Sequence, residues 1–217
     1  MPTLNRDRLI DKSRLLGCDL HPGQADRLDR FADLLLAANR IHNLTAVTDP
    51  REMEIRHFLD CLALCALPEL CGRVLDIGTG AGFPGVVIAI TRPDCSVTLM
   101  DARQKKIDFV HELCVQLDLT ADIVRGRAEE IRDPELLGCF DSVVARAVAP
   151  LARLTPIALP FLKKGGILIA MKGPRVAQEL EETLPLLPVW GGRLLAQKDY
   201  ELPGRMVRTA VIIQRVR

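Results

Sequence analysis

The stretch DIGTGAGFPG, from Asp76 to Gly85, holds the densest set of residues able to do chemistry. Glycines let the backbone adopt positive φ and approach a ligand closely, and a loop that feeds a helix presents free amides there. Gly80, Gly82 and Gly85 form a G-x-G-x-x-G pattern that, by itself, suits a dinucleotide equally well. Two acids sharpen the reading. Asp101 lies 25 residues after Asp76, at the end of the next apolar run, where a carboxylate can accept ribose hydroxyls. Asp76 stands two residues before Gly78, where a dehydrogenase receives pyrophosphate and a carboxylate would repel it. S-adenosylmethionine carries an amino group and a sulfonium cation and no phosphate, so the acids favour it over NAD.

Other residues fall at the same expected edge. Ala128 and Glu129 follow ADIVRGR, where backbone groups or the carboxylate can meet an adenine edge. Taken alone, Glu129 is equally an acid placed at a helix start. Arg146 sits in VVARAVAP among apolar residues, where an unpaired guanidinium is costly. It requires an anionic partner: a cofactor carboxylate, an RNA phosphate or an internal acid. It is also the best candidate for a direct part in catalysis. Among the basic clusters, Arg103, Lys105 and Lys172 follow strand ends and are candidate phosphate contacts. Lys163 and Lys164 read as dipole partners at a helix C-terminus before Gly165. His57 and Asp60 lie one helical turn apart and can hold an N-terminal helix against the site.

The methyl acceptor is constrained by what is missing from the pattern. The Asp/Asn-Pro-Pro-aromatic tetrapeptide that grips an exocyclic amine is replaced by ARAVAP. No cysteine nucleophile for pyrimidine C5 chemistry lies after the fourth or fifth strand, and neither His57 nor His111 is placed as a base. An acceptor that needs no deprotonation, such as guanine N7, fits best, with catalysis resting on positioning.

The elements that must hold these residues follow from periodicity. QADRLDRFADLLLAANR puts Leu28, Phe31, Leu34 and Leu35 on one helical stripe, and REMEIRHFLDCLALCAL forms another helical stretch ending before Pro68. From Arg73, strands (RVLDI, SVTLMD, ADIVRG, FDSVVAR, GGILIAMKG) alternate with helical or loop segments, the pattern of a parallel doubly wound sheet. GGRLLAQKDYEL and RMVRTAVIIQRV are separated only by Pro203 and Gly204, which demands an antiparallel hairpin. The expected fold is therefore a Rossmann-like class I methyltransferase: a mainly parallel seven-stranded sheet with an antiparallel last strand. Residues 1–71 would form a helical cap and residues 72–217 the catalytic domain.

Composition is that of a soluble globular chain: 217 residues, 48% hydrophobic and 26% charged, with net charge +1. The longest run free of charge, the 15 residues between Asp76 and Arg92, holds four glycines and is too short to span a membrane. The charged N-terminus does not read as a secretory signal, so a cytoplasmic location is expected. Seven scattered cysteines without a C-x-x-C, and four histidines, offer no metal-binding pattern.

NLTAV, RHFLDCLAL, VLDIGTGAGFPG, VTLMDARQKKIDF, GRAEE, ARAVAPL and GGILIAMKG, in this order, resemble the RsmG family, also called glucose-inhibited division protein B. The resemblance runs from about Asn39 to Gly173. It implies S-adenosylmethionine-dependent methylation of guanine N7 in the 530 loop of bacterial 16S rRNA, at position 527 in the usual rRNA numbering. The implied product is S-adenosylhomocysteine and the implied substrate is 16S rRNA, within the 30S subunit or an assembly intermediate, with no membrane partner and a monomeric enzyme. Carried over by motif, Gly78, Phe83, Ala128, Glu129 and Arg146 would contact the cofactor. Two departures are small: Leu59-Asp60-Cys61 replaces the usual LDS, and Ala145 stands where Ser is usual. The competing readings are an NAD-dependent oxidoreductase and a non-catalytic ribosome-assembly factor of the same fold.

Overall fold

The computed structural model describes residues 3–217. The N-terminal segment forms α1 (Arg6–Leu15), α2 (Pro22–His42) and α3 (Pro50–Met53). The last continues through a π-helical stretch, Glu54–Leu59, into α4 (Asp60–Cys65). Helix α2 starts where Pro22 pre-sets φ in the first turn and the Gln24 side chain returns to the His21 amide at 2.9 Å. It ends at Asn43, which adopts the left-handed conformation. Its buried stripe is Ala25, Leu28, Phe31, Ala32 and Leu35, whereas Leu34 turns to a half-buried edge.

From Arg73 onward come β1 (Arg73–Ile77), α5 (Gly85–Thr91), β2 (Ser96–Asp101), α6 (Gln104–Gln116), β3 (Asp122–Arg125) and β4 (Phe140–Arg146). These are followed by α7 (Leu151–Ala158), β5 (Leu162–Lys172), α8 (Val176–Thr183), α9 (Leu187–Trp190), β6 (Gly192–Leu202) and β7 (Met206–Arg215). All seven strands join one sheet in the order β3-β2-β1-β4-β5-β7-β6. Only β7 runs against its neighbours, pairing antiparallel with both β5 and β6. The crossover from β3 to β4 uses a short 3-10 turn, Ala128–Glu130, in place of a full helix.

Lys163 and Lys164 do not end a helix, as the sequence suggested, but stand in β5. Pro156 and Pro160 lack amide donors, so α7 stops at Ala158 and a 3-10 turn, Leu159–Phe161, leads into the strand. Lys163 pairs with Asp141 of neighbouring β4 at 2.7 Å.

Strand alternation divides the apolar side chains between two faces. Val74, Val144 and Ile169 point to one face and join the buried residues of α1, α2, α4, α5 and α6 in a continuous cluster. Leu75, Val143 and Leu168 point to the other and pack under α7, α8 and α9. The helices before residue 72 thus share the core of one sheet face. Phe31 marks the joint: fully buried, it meets Phe83 of the loop after β1 at 4.7 Å and Phe58 at 5.4 Å between ring centroids. Among the described residues no helix is long and apolar enough to cross a membrane.

A shared core predicts cooperative loss. Phe31→Ala should cost about 3–5 kcal/mol in denaturant unfolding while preserving a single transition. Two separate transitions in the wild-type chain would show instead that the N-terminal helices fold as an independent unit.

Candidate active site

The chain winds from β1 outward to β2 and β3, then returns to β4 beside β1. Ligand crevices open at such a switch point, outside the carboxyl ends of the strands. A cleft of about 740 Å³ lies there, lined on the β1 side by Gly78, Gly80 and Phe83 and on the β4 side by Arg146 and Val148. That size is ordinary for a small-molecule site, about 300–1,000 Å³.

The glycine loop is anchored from below. The amides of Gly78 and Thr79 both donate to the Met100 carbonyl, at 2.8 and 2.9 Å. Asp76 is fully buried, and its Oδ2 accepts the Gly85 amide at 2.8 Å. No side chain fits at Gly85, because a Cβ there would lie 2.2 Å from Leu99 Cδ2 and 2.6 Å from Asp76 Oδ2. Burial pushes the Asp76 carboxyl up to about 6, against the influence of the Thr79 hydroxyl, the Gly85 amide and the Arg146 charge. Asp76 Oδ1 and Thr79 Oγ1 are buried and unpartnered. Asp101 also braces the loop: Oδ2 accepts the Gly80 amide at 3.0 Å and Oδ1 the Arg103 amide at 2.9 Å, with Lys106 Nζ at 3.9 Å. Gly80 itself is open, since a Cβ there would meet nothing closer than Lys106 Nζ at 3.5 Å.

Across the cleft, Arg146 finds an internal acid. Its Nη1 donates to Asp60 Oδ2 at 3.3 Å and to the Arg56 carbonyl at 3.0 Å. Tyr200 donates to the other Asp60 oxygen at 2.8 Å, and Arg208 approaches the same oxygen at 4.0 Å. The guanidinium also lies 5.1 Å from the centre of the Phe83 ring. Phe83 is stacked between Phe31 and His57, with His57 at 4.8 Å. His57 joins Arg146 at Nδ1 (3.5 Å) and Thr45 at Nε2 (2.9 Å). Burial and the Arg146 charge push its pKa down to about 4, so it is neutral at pH 7. Accepting from Arg146 at Nδ1 then leaves the proton on Nε2, facing Thr45.

The structure brings only part of the expected set into this cleft. Gly78, Gly80, Phe83, Arg146 and Lys172 line it. Asp76 and Asp101 stand behind the loop, and Gly82 is turned inward against Val86 and Phe31. Ala128, buried, and exposed Glu129 lie further along the same edge after β3. Arg103 and Lys105 are exposed, and Lys105 reaches the His42 carbonyl at 3.0 Å beside a separate groove between α2 and α6. Lys172 is turned inward, bonded to Glu179 at 2.8 Å and to the Ala149 carbonyl at 2.7 Å. Sequence reasoning missed Tyr200 and Glu179. Tyr200 carried one signal, as the only tyrosine of the chain, alternating on β6 with Ala196, Lys198 and Leu202 on the half-buried face.

This sheet order, with its glycine loop after β1 and acid at the end of β2, defines the fold of class I S-adenosylmethionine-dependent methyltransferases. The Methanococcus jannaschii fibrillarin pre-rRNA processing protein shares it, with TM-score 0.56 and 18% identity over 70% of each chain. An O-methyltransferase from neocarzinostatin biosynthesis, solved with S-adenosylmethionine, has TM-score 0.54 and 18% identity, over 68% of this chain and 50% of that one. The model of the GidB family, rRNA small subunit methyltransferase G, matches residues 24–195. Ribosomal RNA small subunit methyltransferase G of Lachnoclostridium phytofermentans is 41% identical, over 96% of this chain and 88% of that protein. The chain belongs to the GidB family.

The two shifted groups make opposed contributions to stability. Stability tied to neutral His57 is present above its ordinary pKa of 6.5 and lost as pH falls through about 4. Asp76, raised from 3.8 to about 6, contributes stability that is present below pH 3.8 and lost as pH rises through 6. Each is worth roughly 3 kcal/mol over its window, so in the wild type they largely cancel. Relative to wild type, Asp76→Asn should lose stability on acidification from pH 6 to 4, and His57→Gln should gain it. Denaturant titrations across that range decide; parallel profiles for all three proteins would remove both assignments.

Proposed function

We propose that this protein transfers the methyl group of S-adenosylmethionine to N7 of a guanine in the 530 loop of 16S rRNA, at position 527 in the usual rRNA numbering. It would act as a cytoplasmic monomer on the 30S subunit or an assembly intermediate, releasing S-adenosylhomocysteine. The choice of small-subunit rRNA rests on the family, whose description and relatives carry that substrate in their names.

The residues present fit the cofactor. Gly80 leaves the loop's upper side open, and the unpartnered Asp76 Oδ1 and Thr79 Oγ1 suit an ammonium group. Asp101 spends one lone pair of each oxygen on loop amides and keeps others for ribose hydroxyls. Ala128 and Glu129, on the turn after β3, would meet the adenine. When bound, S-adenosylmethionine supplies an electrophilic methyl group on a sulfonium.

The observation that carries the N7 assignment is the state of the acceptor side. Among the described residues lining the cleft there, each candidate base is already engaged. His57 is neutral but bonded at both nitrogens, Asp60 accepts from Arg146, and Glu179 holds Lys172. The Tyr200 phenol behind Asp60 is pushed upward by burial and by the Asp60 charge. Guanine N7 has an in-plane lone pair and no proton, so its methylation asks no base of the protein. What remains is positioning. Arg146, fixed over Phe83 by Asp60 and the Arg56 carbonyl, is the best candidate to touch the reacting groups.

Incubation with tritium-labelled S-adenosylmethionine and 30S subunits from cells lacking the gene should place label in 7-methylguanosine. Label in any other nucleoside would overturn N7, and no label with cofactor binding intact would favour the non-catalytic assembly factor. Asp101→Ala should weaken cofactor binding by about 2–3 kcal/mol in calorimetry, the loss of charge-assisted hydrogen bonds. An unchanged affinity would remove Asp101 from the site.

A further inference from the structure

The loop between β4 and α7, residues 147–150, forms the cleft wall that faces the glycine loop. It is held in an unfavourable shape. Ala147 has φ 56°, in the left-handed region that a residue with a Cβ rarely adopts. Val148 follows, 41% exposed, with its Cγ2 only 2.8 Å from where a Cβ on Gly78 would lie. Helix α7 then begins behind Pro150 with no side-chain cap of its own.

Two residues from other elements supply what this loop lacks. Lys172, at the end of β5, donates to the Ala149 carbonyl at 2.7 Å. Glu179, on α8, accepts the Leu151 amide at 2.8 Å through Oε2, the same oxygen that Lys172 meets at 2.8 Å. One ion pair thus grips the peptide groups on both sides of Pro150, and the Lys172 side chain is only 10% exposed. A phosphate contact would have to pull Lys172 away from both partners.

We propose that Lys172 and Glu179 are positioning residues: their ion pair clamps the loop 147–150 so that Val148 stands beside Gly78 and orients the methyl acceptor. This rests on the methyltransferase reading above, and it replaces the expectation that Lys172 binds RNA phosphate. A clamp and a phosphate contact differ in what they move. A lost phosphate contact weakens RNA binding and lowers the slope of log affinity against log salt by about 1. A lost clamp leaves affinity and slope alone and slows the transfer.

The test compares Lys172→Met, Glu179→Met and the double variant, after circular dichroism has shown that each is folded. Methyl transfer to 30S subunits from cells lacking the gene is measured at saturating cofactor, binding to 16S rRNA is measured at several salt concentrations, and amide exchange is followed at Leu151. The expected result is a kcat at least tenfold lower in each single variant, with the double no worse than either. RNA affinity should stay within about twofold with an unchanged salt slope, and Leu151 should lose protection in Glu179→Met, which has no acceptor oxygen. Weakened RNA binding with a reduced slope in Lys172→Met, and a silent Glu179→Met, would overturn the proposal. If the wild type transfers no methyl group, the functional reading fails instead. Leu151 exchange in Glu179→Met then still decides the clamp, and retained protection would refute it.

Discussion

A guanidinium at the carboxyl end of a central strand cannot stay there without a carboxylate, and the carboxylate comes from the N-terminal helices. Arg146 closes β4 with its side chain 16% exposed, and Asp60, 7% exposed, faces it at 3.3 Å. Removing one member of such a buried pair costs about 3–5 kcal/mol, because the other charge is left stranded. Asp60 is in turn held by Tyr200 of β6, and Arg146 by the Arg56 carbonyl. The segment supplying Arg56 and His57 is π-helical, a geometry that recurs at functional sites. One ion pair therefore joins the first helical layer, the middle of the sheet and its far edge at a single point beside the cleft.

The acids around the glycine loop divide the work in a way their types alone do not show. Asp76 and Asp101 each accept one backbone amide of the loop, from Gly85 and Gly80, so the loop's shape is set before any ligand arrives. A preformed loop loses no conformational freedom on binding, which matters where the reaction depends on alignment. Burial is what makes Asp76 effective here. Away from water its hydrogen bond to Gly85 is strong, and the same burial raises its pKa.

Much of this was legible in the chain. Strand alternation after Arg73, the two-residue link before the last strand and the loop between Asp76 and Gly85 each follow from local rules, and the sheet obeys them. Lys163 and Lys164 were misplaced because an apolar run interrupted by prolines reads as a helix until one asks where its amides go. Pro156 and Pro160 answer that only once β4 is known to offer β5 an edge. The partners of Tyr200 and Glu179 were not legible for another reason. They lie 140 and 28 residues away in the chain, and no periodicity encodes a contact made by the sheet's closure. The partner of Arg146 was left open among three anions for the same cause.

Charge in the cleft serves geometry before attraction. Arg146 is matched by Asp60, Lys172 by Glu179, and Lys106 stands near Asp101. Each pairing fixes a backbone segment: the end of β4, the loop 147–150 and the glycine loop. Exposed basic residues outside such pairings, such as Arg175 at the cleft mouth, are the ones able to draw in a polyanion over a distance set by salt. A net charge of +1 is compatible with nucleic-acid binding on these terms. The inner charges cancel in pairs and hold the walls, while a few outer ones set the approach, and neither task requires a basic protein.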